Sequence, residues 1–266
     1  MNVGIIGLGH VGSAMYNSFK LKNINVSWYD KYKIGGTSFD KIVKNYILFL
    51  ALPTLYDPSI NEYNKSNIYE TCDKLVKFNF TGTVVIKSTV EPGTTGHLNV
   101  KYPSLKFIHN PEFLTSRTAF EDFHNQSHIV LGIGDNIESE ELDIIKHFYS
   151  THYPLAEIST CKSIESESMK IFCNSFYASK IQILTEYYML CQKNGSNFDT
   201  IIKLMLKNRW INPMHTLIPG PDGLLSYGGN CFPKDTNALL QYMKSVDTPH
   251  SVLENIIRER NDIRES

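Results

Sequence analysis

Short apolar runs recur along the first half of the chain, at 2–6, 25–29, 46–51, 83–87, 106–108 and 128–133, and each meets Gly, Pro, Asn, Asp or a hydroxyl residue within two positions of its end. Runs of this length with turn signals at their ends predict strands. Between them, residues 11–22, 65–78 and 138–149 carry apolar side chains at helical spacing and predict helices. Strands alternating with helices argue for a doubly wound α/β layer with a parallel sheet. The pattern changes after about residue 162. Residues 164–193 contain neither Gly nor Pro and predict one helix, about 45 Å long, with Asn194-Gly195 as its stop. Ser196 is placed to cap the next helix, with Asp199 in its first turn. A last helix is expected over 251–264, charged towards its end through Arg258, Glu259, Arg260, Asp262, Arg264 and Glu265. The chain thus divides into an α/β domain at 1–162 and an all-α domain at 163–266, opened by a long interdomain helix.

Composition narrows the function classes. A hydrophobic content of 42% over 266 residues supports a real core, and a net charge of −1 gives no general reason to expect nucleic-acid or membrane binding. No apolar run approaches the roughly 18 residues that span a bilayer. The five cysteines are odd in number and scattered, which suggests neither a disulfide framework nor a zinc site, and no metal is expected. Met1 leads almost directly into the first strand, leaving no room for a signal peptide, so the expectation is a soluble cytoplasmic enzyme.

Two stretches carry chemistry. The first strand runs straight into Gly7-Leu8-Gly9-His10-Val11-Gly12 and then a helix, the context in which G-x-G-x-x-G means dinucleotide binding and a Rossmann-like domain. Gly7 allows the tight turn, Gly9 admits the pyrophosphate, and Gly12 lets helix pack on strand, while N–H groups at the helix start face the phosphates. Asp30 closes the second strand about twenty residues later, where a carboxylate accepts from a ribose 2′-OH and repels a 2′-phosphate. That favours NAD over NADP, with Lys31 and Lys33 close by. Further loops at strand ends, 51–54, 88–95 and 110–114, combine proline with hydroxyl or acidic residues and suggest a lined pocket. The second stretch is Gly228-Gly229-Asn230-Cys231-Phe232-Pro233-Lys234-Asp235. Flexible glycines before a cysteine and a lysine after it are the setting of an exposed nucleophile, because the thiolate is the reactive form. On the long helix, Lys170 and Asn174 share a face, with Glu167 one turn earlier; a lysine beside an amide could polarise a carbonyl or hold an oxyanion, and spacing alone also allows a surface pair.

Taken together, the stretches 7–12, 87–95 (Lys-Ser-Thr-Val-Glu-Pro-Gly-Thr-Thr), 110–114 (Asn-Pro-Glu-Phe-Leu), the helix around Lys170 and Asn174, and 228–235 resemble the UDP-glucose/GDP-mannose dehydrogenase family, in the family's order and over nearly the whole chain. The 228–235 motif is highly specific. The resemblance implies an NAD-dependent four-electron oxidation of a sugar-nucleotide primary alcohol to a uronic acid. Cys231 would be the nucleophile, Glu112 the base that hydrolyses a thioester, Lys170 and Asn174 the oxyanion donors, Asp235 a proton relay, and Thr89 a neighbour of the nicotinamide. It further implies cofactor contacts at His10, Val11, Thr54 and Lys234, besides the glycines and Asp30, and substrate contacts at Glu112, Phe113, Leu114, Lys170, Asn174, Arg209 and Gly228.

Three departures bear on the transfer. Ser116 stands where the family usually carries a second glutamate, the 219–227 loop is longer than usual, and the chain reaches Ser266 where relatives continue into a second nucleotide-binding domain. The expectation is therefore a short form without that domain. Partners expected are a sugar nucleotide and a second copy of the chain, the homodimer forming through the long helix with Tyr177, Ile181, Leu184 and Tyr188 in its apolar stripe. Two other readings stay open: a two-domain β-hydroxyacid-type dehydrogenase, for which neither Cys231 nor Glu112 is needed, and a non-catalytic or partner-dependent relative.

Overall fold

The computed structural model describes residues 1–115 and 117–265, so Ser116 lies outside the described residues. In chain order the elements are β1 (Asn2–Ile6), α1 (His10–Leu21), β2 (Asn25–Tyr29), α2 (Phe39–Ile42), β3 (Ile47–Leu50), β4 (Tyr56–Asp57), β5 (Glu62–Tyr63), α3 (Ser66–Lys77), β6 (Thr83–Ile86), α4 (Thr94–Lys101), β7 (Lys106–His109), α5 (Ala119–His124), β8 (His128–Ile133), α6 (Ser139–His152), β9 (Glu157–Lys162), α7 (Ser163–Asn194), α8 (Phe198–Lys207), α9 (Phe232–Ser245) and α10 (Ser251–Glu265). They form two compact units, Met1–Leu55 with Tyr63–Lys170, and Tyr56–Glu62 with Ile171–Ser266.

The first unit is built on a seven-stranded sheet in the order β2-β1-β3-β6-β7-β8-β9. Its central strands β1, β3 and β6 are apolar almost without interruption because both faces are covered. Period-two alternation sends Ile5, Phe49 and Val85 to one face, where they meet Met15, Phe19 and Phe148, and Leu48, Leu50, Val84 and Ile86 to the other, against Leu75, Leu98 and Phe107. On the first face Phe19 meets Phe49 and Phe148 with ring centroids 5.5 Å apart.

The sheet is parallel-dominated, as the alternation of strands and helices predicts, with one reversal. β8 runs antiparallel to β7, pairing Ile108 with Ile133, while β9 is parallel to β8. After His109 the chain re-enters the sheet from the end it left, by way of α5, which packs on α1. An apolar run looks alike in either direction, so periodicity could not reveal this. β9 and α4 were not anticipated either: β9 is a half-exposed edge strand with few apolar residues, and α4 has a weak apolar pattern.

In the second unit Ala178, Ile181, Leu184 and Cys191 of α7 form a core with Phe198 and Ile202 of α8 and with Ile218 and Tyr227. Tyr188 packs edge-on against Phe198 (5.6 Å), and Tyr177 lies tilted against His215 (4.9 Å). The stripe assigned to a partner is therefore occupied within the chain itself, because α8 and the 218–227 segment cover it. The apolar residues α7 leaves exposed include Phe172, Phe176, Ile183, Tyr187 and Leu190. The α8 cap also differs from expectation. Asn197, in extended backbone, accepts from the Thr200 N–H at 2.8 Å, while the Ser196 hydroxyl donates to Asn194. Asp199 does stand in the first turn. Among the described residues, no helix is long and apolar enough to cross a membrane.

Candidate functional site

In the first unit, the loops after β1, β2, β3, β6 and β7 leave the carboxyl ends of parallel strands, where open α/β sheets bind ligands. Gly7 takes φ +93°, and a β-carbon there would lie 2.5 Å from the Ala51 carbonyl oxygen. A β-carbon at Gly12 would lie 2.0 Å from the Gly7 carbonyl oxygen, so α1 sits directly on the turn. At Gly9 there is open space, with no atom within 4 Å of a would-be β-carbon. This is a cradle shaped for a pyrophosphate: closed beneath by two glycines, open at the middle one, at the N-terminus of α1 with His10 and Val11 in its first turn.

Asp30 stands beside the cradle. Its carboxylate accepts from the Leu8 N–H at 2.7 Å and the Tyr32 N–H at 2.9 Å, and Lys33 donates to the Leu8 carbonyl at 2.5 Å. Partial burial works against the charge, but the backbone hydrogen bonds and nearby Lys33 outweigh it and hold Asp30 below the usual carboxylate range. Lys31 is drawn instead to Glu70, at 2.9 Å. The loops after β3 and β6 are tied together: Thr54 donates to the Thr89 carbonyl at 2.7 Å, and the Leu52 N–H donates to Ser88 at 3.0 Å.

Glu112 follows β7 on the turn that begins Asn110-Pro111. The Lys170 ammonium lies 3.2 Å from Glu112 Oε1 and also donates to the Glu112 carbonyl at 2.5 Å, while Glu112 Oε2 accepts from the Leu114 N–H at 2.6 Å. Lys170, which is buried, also lies 5.5 Å from the Phe113 ring centroid. The structure thus brings Glu112, Phe113, Leu114 and Lys170 together. Glu167, expected on the Lys170 face, has another role. Its buried carboxylate accepts from the Gly93 and Thr95 N–H groups, at 2.6 and 2.7 Å, and from the Thr95 hydroxyl at 2.6 Å, capping α4.

In the second unit Cys231 is the exposed N-cap of α9, with Pro233 in the first turn. Helix N-termini and neighbouring cations are settings that favour thiolate. One turn on, Asp235 is fully buried. It accepts from the Asn174 amide at 2.6 Å and from Lys234 at 2.5 Å, and its own N–H donates to the Cys231 carbonyl at 2.9 Å. Asn174, Lys234 and Asp235 are therefore one hydrogen-bonded group beside Cys231.

Gly228 lies in the loop before Cys231, and the guanidinium of Arg264 packs over its α-carbon, where a β-carbon would meet Nη1 at 2.5 Å. Arg264 also donates to the Ser226 carbonyl at 2.9 Å and pairs with Asp222 at 3.0 Å, so α10 pins the long 219–227 loop. Arg209 stands exposed in the turn after α8 at φ +61°, and its backbone N–H donates to the Leu206 carbonyl at 3.0 Å. Sequence reasoning gave no role to Lys87 or Arg264. Lys87 closes the apolar run 83–87 and opens the 87–95 stretch, but neither marked it as buried.

A doubly wound sheet with a glycine cradle and an acidic residue after β2, followed by a helical unit with a cysteine at a helix start, is the architecture of a dinucleotide-dependent enzyme. Two family models match the chain: the NAD binding domain of the UDP-glucose/GDP-mannose dehydrogenase family over residues 31–152, and that family's central domain over 164–262. A UDP-glucose 6-dehydrogenase of Rickettsia bellii is 34% identical over 303 residues, covering 98% of this chain and 67% of that protein. One from Campylobacter jejuni is 27% identical over 307 residues, covering 99% of this chain and 72% of that protein. A solved UDP-glucose dehydrogenase from the hyperthermophilic archaeon Pyrobaculum islandicum shares the fold with a TM-score of 0.84 at 23% identity, covering 97% of this chain and 67% of that one. The chain belongs to the UDP-glucose/GDP-mannose dehydrogenase family of NAD-dependent nucleotide-sugar dehydrogenases, and its cofactor is NAD.

Proposed function

We propose that the chain oxidises the primary alcohol of a sugar nucleotide, of the UDP-glucose kind, to the carboxylate, with two hydrides leaving the same carbon in turn. NAD, when bound, supplies the hydride acceptor at each oxidation, held by Gly7, Gly9, Gly12, His10, Val11 and Asp30, with Thr54, Thr89 and Lys234 as further contacts. The observation that carries this reading is the group around Cys231: a cysteine capping a helix, with a buried Asp235 one turn on that accepts from Asn174. A one-hydride hydroxyacid oxidation has no use for such a cysteine, and family membership favours the nucleotide-sugar reaction over it.

Asp235 takes the alcohol proton through water as the first hydride leaves, giving the aldehyde. The Cys231 thiolate then adds to the aldehyde carbon, forming a C–S bond and a hemithioacetal oxyanion. Lys170 and Asn174 donate to that oxygen. Loss of the second hydride leaves a thioester. Glu112 removes a proton from the attacking water, and the C–S bond breaks to return the thiolate and release the acid. Phe113, Leu114, Arg209 and Gly228 contact the substrate, and the pinned 219–227 loop shapes its specificity.

A homodimer through α7 is part of this proposal. Its support is the exposed row Phe172, Phe176, Ile183, Tyr187 and Leu190, which replaces the stripe first assigned to it. The deciding experiment is NADH formed per mole of limiting sugar nucleotide across a panel of UDP- and GDP-sugars. Two NADH per sugar is the expected result, and Cys231→Ala abolishes the second. No NADH from any member of the panel, with NAD binding intact, refutes the proposal.

A further inference from the structure

We propose that Lys87 is a positioning residue for Glu112, holding from beneath the turn that presents the base. The inference rests on the reading of Glu112 as the group that activates water. Lys87 follows β6 and is almost completely buried, at 3% exposure. Its ammonium donates to Asn110 Oδ1 at 3.0 Å and to the Pro111 carbonyl at 3.3 Å, the two residues immediately before Glu112. Tyr149 also donates to Asn110 Oδ1, and the Asn110 amide donates to the Val130 carbonyl at 2.8 Å. The turn is therefore gripped from the sheet side by Lys87, Tyr149 and Val130, and Lys170 grips Glu112 itself.

Lys87 is a costly way to fill that space. Its two hydrogen-bond acceptors are neutral oxygens, and a buried cation without a contacting carboxylate weakens the fold relative to an apolar side chain of similar size. Glu112 attracts its charge and Lys170 opposes it, while His109, on the adjacent strand, is itself buried and pushed down to about 3 by burial and by Lys87. Phe123 and Tyr149 supply only a ring face and a hydroxyl. Burial, moderated by Glu112, brings Lys87 itself down to about 7. A group that costs stability yet grips the base-bearing turn is better explained by what it positions than by what it stabilises.

The test uses Lys87→Met, which removes charge and donors, and Lys87→Gln, which keeps an amide donor without the charge. Amide exchange is followed by mass spectrometry on the full chain without substrate. The Leu114 N–H, bonded to Glu112, is the reporter. In Lys87→Met the 112–114 amides exchange about tenfold faster, as a loosened turn requires, and Lys87→Gln falls between it and wild type. Folding stability supplies a second readout. The folded chain sheds the Lys87 proton near 7 and the unfolded chain near 10.5, so the stability of the wild type relative to Lys87→Met rises with pH across that window.

Kinetically, thioester hydrolysis slows about tenfold in Lys87→Met while KM for the sugar nucleotide stays within about twofold, because the base is misplaced and substrate binding is not. A folded Lys87→Met protein with wild-type exchange at 112–114 and wild-type turnover overturns the proposal. So does failure of both variants to fold, which would make the role structural. If the wild-type chain makes no NADH, the proposed reaction fails, and the exchange measurement still decides whether Lys87 holds the turn.

Discussion

Two glycines of the same motif should fail in opposite ways. At Gly12 a methyl group would sit 2.0 Å from the Gly7 carbonyl oxygen, more than an ångström short of ordinary contact, and the obstacle is backbone. Overpacking of this kind costs about 1–3 kcal/mol, and each kcal/mol lowers the melting temperature of a chain this size by roughly 2–4 °C. At Gly9 the backbone has φ −72°, open to any residue, and a β-carbon meets nothing within 4 Å. Gly9→Ala should therefore leave stability unchanged or raise it by up to about 1 kcal/mol, through the unfolded chain. In the proposed placement of NAD, the empty space at Gly9 is where the pyrophosphate approaches the first turn of α1. A methyl group there costs at least one hydrogen bond to a charged group, about 1.5–3 kcal/mol, or about tenfold to hundredfold in NAD affinity. Thermal melting and calorimetric titration with NAD, run on both variants, check the two claims separately. A Gly9→Ala protein that binds NAD as the wild type does would refute the placement of the cofactor.

Glu167→Gln leaves at least one of three donors at the start of α4 without its acceptor, and should cost about 1–3 kcal/mol by denaturant unfolding. Burial holds the Glu167 carboxyl above 4.5, so the folded chain keeps a proton that the unfolded chain gives up first; the wild type's advantage over the Gln variant narrows as pH rises through the window just above 4.5. Asn174→Ala removes a donor from buried Asp235, with an expected loss of about 1–3 kcal/mol in the same assay and no change in NAD affinity. Phe176 and Tyr187 are exposed, so Phe176→Asp with Tyr187→Asp should change monomer stability by no more than about 0.5 kcal/mol per site yet give a monomer by sedimentation; a variant that still sediments as the wild type does rules out that face as the dimer contact.

What could be read from the sequence depended on how far along the chain each relation reached. The glycine cradle, Asp30 and the run from Gly228 to Asp235 lie within one turn or one βαβ unit, and their spacing is itself the chemical signal. The β1, β2 and β8 runs were bounded correctly because each is a short apolar run closed by a turn residue, Gly7, Asp30 and Gly134. Relations that cross the chain left no such mark. Helical spacing put Glu167 on the face of Lys170 and Asn174, yet its acceptors' partners lie 72 and 74 residues away, at the start of a helix the sequence did not announce. The α7 stripe shows the same limit: 3.6-residue periodicity identified Ile181 and Leu184 as residues needing cover, but could not say that Phe198, Ile202 and Tyr227 of the same chain supply it. Lys87 is the sharpest case. A lysine closing an apolar run is ordinarily a surface residue, and only the fold shows its ammonium beneath Asn110 and Pro111. Catalytic residues declare themselves by local chemistry, whereas residues that position them declare themselves by burial. Functional groups still to be found in this chain should therefore be sought among its buried polar side chains before its exposed ones.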